Sequence, residues 1–198
     1  MLLYNAPVSG NCYKVRLLLA HLGIDYERHE VDVIDRSTRA ELLGGVNPSL
    51  SVPTVVLDDG SPLAESNAIL WYFSEGTPYM PEDRLARARV LQWLSFEQFS
   101  HQPYLALVRY WLSIAHTQVA KEKLDARKAP GYFALGAMES HLQRNSFFVD
   151  ERYTIADIAL YAYTHVAHEG EFDLSGFPAI REWLGRVDSQ PGHVPIAA

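Results

Sequence analysis

Residues 52–66 have the sequence VPTVVLDDGSPLAES, which predicts a β-hairpin that leads into a helix. Val52–Leu57 is rich in β-branched residues, and the DDG at 58–60 is a hairpin turn signal. Ser61–Ala64 is long enough for a short returning strand. The mostly apolar segment Glu65–Ser74 then predicts a helix. This stretch therefore predicts two strands and a helix in direct succession.

The residues that precede this hairpin predict two further strand–helix pairs. Leu2–Tyr4 is a short apolar run that ends in a turn, and apolar residues at helical spacing follow in 12–22 until Gly23. Tyr26–Val33 fits a second strand, and Arg36–Leu43 fits a short helix. The predicted order over residues 1–75 is therefore β-α-β-α-β-β-α, an α/β sandwich.

Helical spacing dominates after a segment rich in proline and glycine, Gly76–Pro81. We predict one domain at 1–76, a linker at 77–82 and an all-helical domain at 83–198. The predicted helices lie at Leu85–Ala115 with a kink at Pro103, at Val119–Leu142 with an interruption at Pro130-Gly131, from Thr154 onward, and at Phe177–Val187.

Composition excludes several classes of protein. The chain has 198 residues, 48% of them hydrophobic, and a net charge of −7, so it offers no basic footprint for nucleic acid. Its apolar runs are too short to span a bilayer, and no basic segment precedes the first of them. The single cysteine, Cys12, excludes a disulfide framework and a cysteine-rich zinc site. We expect a cytoplasmic protein without a metal and without a membrane or nucleic-acid partner.

The segment Ser9-Gly10-Asn11-Cys12 lies between the first predicted strand and the start of a helix, where anions are favoured. Its spacing is that of a C-x-x-C redox motif whose first cysteine, the nucleophile, is replaced by serine. A hydroxyl at that position can donate a hydrogen bond to the thiolate of a bound ligand. A polar turn that only caps the helix explains the same residues.

Two further segments have both a functional and a purely structural interpretation. A proline at the start of a strand, as at Val52-Pro53, suits a cis peptide bond and leaves the Val52 N–H and C=O available to an extended peptide. Ser66 can cap the helix that follows it, whose free amides accept a carboxylate, while Glu65 can hold an ammonium group. An ordinary strand-initiating proline and an ordinary helix cap are the alternatives.

Thr154-Ile155-Ala156-Asp157 resembles a capping box with aspartate in place of glutamate. Tyr153 and Ile158 occupy the positions of a hydrophobic staple. We interpret this segment as folding information and assign it no function.

The order and spacing of these motifs over essentially the whole chain resemble those of the cytosolic glutathione transferases. Ser9–Val15 is similar to the active-site turn of the serine-type theta, phi and zeta classes. The resemblance implies a thioredoxin-like first domain, an all-α second domain, a homodimer and a detoxifying transferase. It further implies that glutathione binds to the Val52 main chain beside Pro53 and to Glu65 and Ser66, with Ser9 at the sulfur.

Two positions depart from the family pattern. Ser51 stands where the family commonly has glutamine or lysine, and Arg39 is a candidate contact for the carboxylate at the glycine end of glutathione. Asn11 beside Ser9 resembles the nu class, which reduces disulfide bonds. The resemblance therefore leaves open whether Ser9 or Asn11 dominates at the sulfur, and whether the reaction is conjugation or disulfide reduction.

Three other functions compete with conjugation: disulfide reduction, a non-catalytic glutathione-binding module, and a glutaredoxin-like enzyme that uses Cys12. Aromatic and polar side chains of the first long helix can form a pocket for a second substrate. Tyr104 and Arg109 are our candidates for it, whereas we expect His101 and Trp111 to be packing residues.

Overall fold

The computed structural model describes residues 1–198, which divide into two units. Unit 1 comprises Met1–Glu75 together with Pro191–Ala198, and unit 2 comprises Gly76–Gln190. The chain thus leaves unit 1 between Glu75 and Gly76, beside the predicted linker at 77–82. The roles assigned to the two predicted domains stay predictions.

Unit 1 contains one mixed sheet of four short strands. The strands are β1 (Leu2–Asn5), β2 (Glu27–Glu30), β3 (Thr54–Val56) and β4 (Pro62–Ala64), and their order in the sheet is β2-β1-β3-β4. β1 pairs in parallel with β2 and antiparallel with β3, which in turn pairs antiparallel with β4. This is the topology of a thioredoxin-like fold, as predicted.

Three helices complete unit 1: α1 (Gly10–Leu22), α2 (Arg39–Leu43) and α3 (Ser66–Ser74). α1 and α3 pack against each other, and their apolar side chains meet the sheet. The centre of this core is formed by fully or almost fully buried side chains, namely Leu3, Val15, Leu19, Val55 and Ile69. Burial of a side chain of this size stabilises the fold by roughly 1.5–3 kcal/mol.

Unit 2 is entirely helical, which confirms the predicted fold class. Its helices are α4 (Arg84–Phe96), α5 (Gln102–Arg109), α6 (Lys121–Leu142), α7 (Ile155–Thr164) and α8 (Pro178–Asp188), with a short 3₁₀ turn at Ala167–Gly170. Single π-helical turns at Glu97–His101 and Tyr110–Ile114 make 84–114 one continuous helical segment. No helix of the chain combines the length and the apolar character that crossing a membrane requires.

The predicted interruption of α6 is wrong, because the helix continues through Pro130 and Gly131. A proline inside a helix removes one backbone hydrogen bond but does not always end it. Gly131 is required by packing, since a Cβ at this position would lie 2.7 Å from the Phe172 ring. α6 therefore passes close to Phe172 at Pro130-Gly131, two adjacent residues of low helix propensity.

The last eight residues belong to unit 1, whereas the sequence placed them in the helical domain. Tyr13 Oη donates to the Val194 carbonyl at 2.7 Å, and the Arg16 guanidinium donates to the Ile196 carbonyl. The His21 ring nitrogen lies 2.9 Å from the Pro191 carbonyl oxygen. Residues 191–198 lack helical spacing of their own, so these contacts to α1 determine where they lie.

A buried aspartate organises the start of α7. Thr154 and Asp157 form the predicted capping box. The Thr154 side chain accepts a hydrogen bond from the backbone N–H of Asp157, and the Asp157 side chain accepts one from the backbone N–H of Thr154. Asp157 also accepts from the Phe148 N–H at 3.1 Å and from Trp183 Nε1 at 3.0 Å. Burial raises the pKa of Asp157 to about 6, although the hydrogen bonds from Thr154, Trp183 and Phe148 act in the opposite direction.

Replacing Asp157 by alanine is expected to lower the free energy of unfolding by about 3 kcal/mol or more, because it leaves several buried N–H groups without acceptors. Chemical denaturation monitored by circular dichroism measures this change. Asp125→Ala is the control, since Asp125 is exposed and its contact to Lys121 is a surface ion pair. Equal stability of the two variants would contradict the central role of Asp157.

Candidate functional site

Ser9 ends the loop after β1 and forms the N-cap of α1. Its backbone is extended (φ −78°, ψ 121°), and its Oγ accepts a hydrogen bond from the Cys12 N–H at 3.3 Å. The Ser9 carbonyl accepts from the Tyr13 N–H at 2.9 Å and begins the helix. The half-buried hydroxyl thus lies at the positive end of the helix dipole, where a nearby anion is stabilised.

The thiol of Cys12 faces the interior of unit 1. Its side chain is fully buried, and Sγ accepts a hydrogen bond from the Ala6 N–H at 3.3 Å. Burial raises the pKa of the Cys12 thiol to about 11, although hydrogen bonds from Ser9 and Ala6 and the charge of Arg16 act in the opposite direction. Cys12 is therefore a protonated thiol at neutral pH and unsuited to nucleophilic attack.

The loop before β3 presents an unpaired stretch of main chain. The Val52–Pro53 peptide bond is cis, which is one of the two possibilities that the sequence left open. Val52 is half-buried, and neither its N–H nor its C=O makes a hydrogen bond within the chain. Because buried main-chain groups are rarely left without partners, this pair of groups is suited to binding another extended backbone.

Asn47, to which the sequence assigned no role, fixes the shape of this loop. Its buried amide donates to the Ser51 carbonyl at 3.0 Å and to Thr54 Oγ1 at 2.9 Å, so it bridges the loop on both sides of Val52. Asparagine commonly makes such local bonds to the backbone, but its partners cannot be told from the sequence.

Ser51 lies in the same loop, and Arg39 makes a hydrogen bond to the residue that precedes Ser51. Ser51 Oγ lies 2.7 Å from Ser49 Oγ, so the short side chain is part of a local hydroxyl pair. The Arg39 guanidinium donates to the Leu50 carbonyl at 3.3 Å and to the Asp32 carbonyl at 3.1 Å. Arg39 thereby braces the chain next to Ser51 and brings a positive charge to this edge.

The start of α3 differs in one respect from the prediction. Ser66 does not cap the helix but is its first residue, and the Glu65 side chain, at the capping position, makes no capping hydrogen bond. Glu65 is exposed and has φ 67° and ψ 114°, a backbone conformation that costs a non-glycine residue about 1–3 kcal/mol. Strain of this kind concentrates at ligand-binding sites.

α1 and α3 are joined by polar side chains at this end of unit 1. Ser66 Oγ donates to Asn11 Oδ1 at 3.4 Å, which links the Ser9 turn to the start of α3. Lys14, fully buried on α1, donates through Nζ to Ser66 Oγ at 3.3 Å and to Asn67 Oδ1 at 3.4 Å. The sequence did not single out Lys14, because a lysine in an amphipathic helix is usually exposed.

The side chains predicted for a second substrate lie on α5 in unit 2. Arg109 is 5% exposed, and its Nε donates to Glu169 Oε2 at 2.8 Å, so its charge is compensated. Tyr104 is half-buried, and its hydroxyl makes no hydrogen bond within the chain. Of the two residues expected to be packing residues, His101 is buried, and its Nε2 lies 2.9 Å from Thr164 Oγ1.

No group of three or more histidine, cysteine, aspartate or glutamate side chains is close enough together to hold a metal ion. The expectation of a protein without a metal stays a prediction.

Two family models match the chain and together span most of it. Residues 8–75 match the glutathione S-transferase N-terminal domain, and residues 90–191 match the glutathione S-transferase C-terminal domain. The first match contains the Ser9 turn, the Val52 loop and the start of α3. The second lies almost wholly within unit 2.

The proteins similar to this chain include a disulfide-bond oxidoreductase and several glutathione S-transferases. The disulfide-bond oxidoreductase YfcG of Escherichia coli is 30% identical over 96% of this chain and 90% of its own length. A crystal structure of a glutathione S-transferase from Pseudomonas fluorescens has 44% identity and a TM-score of 0.96, covering 100% of this chain and 98% of that one. A glutathione S-transferase structure from Xanthobacter autotrophicus has 45% identity and a TM-score of 0.91, covering 98% and 96%.

We expect the Cys12 thiol of the native protein to be inert toward Ellman's reagent near neutral pH, because a buried thiol with a pKa of about 11 is neither exposed nor ionised. In denaturing urea the same protein is expected to release colour for one thiol per chain. Free glutathione in the same buffer is the positive control. Rapid reaction of the folded protein would contradict the burial of Cys12 and support the alternative in which Cys12 is the nucleophile.

Proposed function

This chain belongs to the glutathione S-transferase family of enzymes, and we propose that it binds glutathione on unit 1 and ionises the glutathione thiol for attack on small electrophiles. The observation that carries this proposal is the position of Ser9. Its hydroxyl lies at the N-terminus of α1, on the same unit as the unpaired main chain of Val52.

The Ser9 turn supplies enough energy to form the thiolate. A free thiol has a pKa of about 8.5, and lowering it by about two units requires roughly 2.7 kcal/mol in favour of the anion. A hydrogen bond to a charged group contributes about 1.5–3 kcal/mol. A helix N-terminus adds about 0.3–1 kcal/mol. The hydroxyl is the larger contribution, and no general base is needed.

Cys12 does not prevent Ser9 from acting on a ligand. In the free protein the Ser9 hydroxyl interacts with the Cys12 sulfur, whose pKa it lowers against the larger effect of burial. Cys12 remains a neutral thiol, which is a weak acceptor. An incoming thiolate is a charged and therefore stronger acceptor, so it competes successfully for the single Ser9 hydrogen.

The rest of unit 1 offers contacts for the other parts of glutathione. The Val52 N–H and C=O are suited to the cysteinyl main chain beside Pro53. The amides at the start of α3 and the Ser66 hydroxyl suit the γ-glutamyl carboxylate, and exposed Glu65 suits the amino group. Ser51 and Arg39 are the proposed contacts for the carboxylate at the glycine end.

For the second substrate we propose contacts with Tyr104 and Arg109. The Tyr104 hydroxyl has its hydrogen-bonding capacity available, whereas the Arg109 charge is already paired with Glu169. Tyr104 is therefore the stronger candidate of the two. A homodimer, a cytoplasmic location and a role in detoxification are proposals that follow from the family.

Disulfide reduction is the second candidate function. It is favoured by Asn11, which lies on the same turn as Ser9 and contacts Ser66, and by the name of the Escherichia coli relative. In that reaction the glutathione thiolate attacks the glutathionyl sulfur of a mixed disulfide. Glutathione disulfide forms, and the other sulfur leaves as a thiolate that takes a proton from water.

Ser9→Ala is expected to raise the pKa of the thiol of enzyme-bound glutathione by at least about one unit, because it removes the larger of the two contributions that stabilise the thiolate. Ultraviolet absorbance of the bound thiolate as a function of pH measures this value. Ser140→Ala is the matched control, since that hydroxyl bonds only to the Gly136 carbonyl on the exposed side of α6. An unchanged pKa in Ser9→Ala would refute the role of Ser9 and make Asn11→Ala the decisive variant.

Comparison of an aryl halide with a small glutathione mixed disulfide at equal enzyme concentration distinguishes the two reactions. We expect faster turnover of the aryl halide, a larger loss in Ser9→Ala than in Asn11→Ala, and full activity in Cys12→Ala. Faster reduction of the disulfide, with Asn11→Ala the more damaged variant, would favour the second function. Retention on immobilised glutathione without any turnover would contradict both.

A further inference from the structure

Lys14 carries a charge at a place where a lysine is costly to bury. Its side chain is 0% exposed, although it lies on α1 only one turn beyond Asn11. An ammonium group removed from water must be compensated by polar partners or it destabilises the fold. The neutral oxygens of Ser66 and Asn67 solvate the charge at the beginning of α3. This position puts a positive charge beside the helix end that we propose as a carboxylate site.

The chemistry of the ammonium group determines the direction of the Ser66 hydrogen bond. A lysine ammonium has three N–H donors and no acceptor, so Ser66 Oγ must accept from Lys14. The single Ser66 hydrogen is then directed away from Lys14, and in the free protein it is donated to Asn11 Oδ1 at 3.4 Å. Lys14 therefore fixes Ser66 as a hydrogen-bond donor.

We propose that Lys14 is a positioning residue that makes this site selective for the carboxylate of the γ-glutamyl group. This inference rests on the proposed binding of glutathione to unit 1. Lys14 acts through Ser66, whose hydroxyl it holds ready to donate to an anion, and its charge adds attraction for that anion. The Nζ–Oγ distance of 3.3 Å is long, and bonds of this kind often shorten when the ligand binds.

The same arrangement couples the two ends of the site. A carboxylate that takes the Ser66 hydrogen ends the bond between Ser66 and Asn11 Oδ1. Asn11 lies two residues from Ser9, on the turn proposed to hold the sulfur. Occupation of the carboxylate site thus changes the hydrogen bonding of the sulfur site, and Lys14 fixes the hydroxyl that links them.

The test compares glutathione with 4-aminobutyryl-cysteinylglycine, which is glutathione without the γ-glutamyl carboxylate. Isothermal titration gives the Kd of each peptide for the wild type, Lys14→Met and Lys14→Arg. We expect Lys14→Met to raise the Kd for glutathione about tenfold or more and to change the Kd for the analogue by less than about twofold. Lys14→Arg keeps the charge and is expected to restore most of the preference for glutathione.

Steady-state kinetics adds a readout that a merely structural role would not produce. Lys14→Met is expected to raise the KM for glutathione about tenfold while kcat at saturating glutathione falls by less than about threefold. Lys121→Met is the control, because that lysine is exposed and lies on α6 in unit 2. Lys14→Gln, which keeps a donor without a charge, replaces Lys14→Met if circular dichroism shows the latter to be unfolded.

Equal weakening of both peptides, or no weakening of either, would overturn the role of Lys14. If the wild type binds glutathione well and prefers it to the analogue, the proposed binding of glutathione to unit 1 stands whatever Lys14→Met shows. If the wild type binds neither peptide, the proposed function fails and the inference fails with it.

Discussion

The contact between α1 and α3 is the constraint on which the candidate site depends. Apolar packing of Val15 and Leu19 with Ile69 holds the two helices together above the sheet. At the N-terminal end of the same contact, Asn11 and Lys14 meet Ser66 through hydrogen bonds instead. The apolar part fixes the distance between the two helices. The Ser66 hydroxyl and the N-termini of α1 and α3 are therefore held in place at the polar end of the contact.

Much of the fold follows from local sequence. The strand and helix order, the N-cap at Ser9, the cis bond before Pro53 and the capping box at Asp157 all depend on residues close together in the chain. Turn formers, β-branched runs and helical spacing encode such features directly. The burial of Cys12 also follows from its place three residues into the helix turn.

Features that depend on distant residues were missed or wrong. Lys14 is separated from its partner Ser66 by 52 positions of sequence, so no local sequence pattern predicts its burial. The sequence assigned no role to Asn47, because its hydrogen bonds depend on the folded shape of the loop. α6 continues through Pro130, and Phe172, far along the chain, packs against the neighbouring Gly131. In each case tertiary contact overrides the local preference.

A crystal structure of the protein with bound glutathione tests the central claim most directly. The account predicts the glutathione sulfur within hydrogen-bonding distance of Ser9 Oγ, its main chain paired with Val52, and its γ-glutamyl carboxylate on Ser66 at the start of α3. A sulfur held by Cys12 or lying out of reach of both Ser9 and Asn11, or a carboxylate bound away from α3, would contradict it.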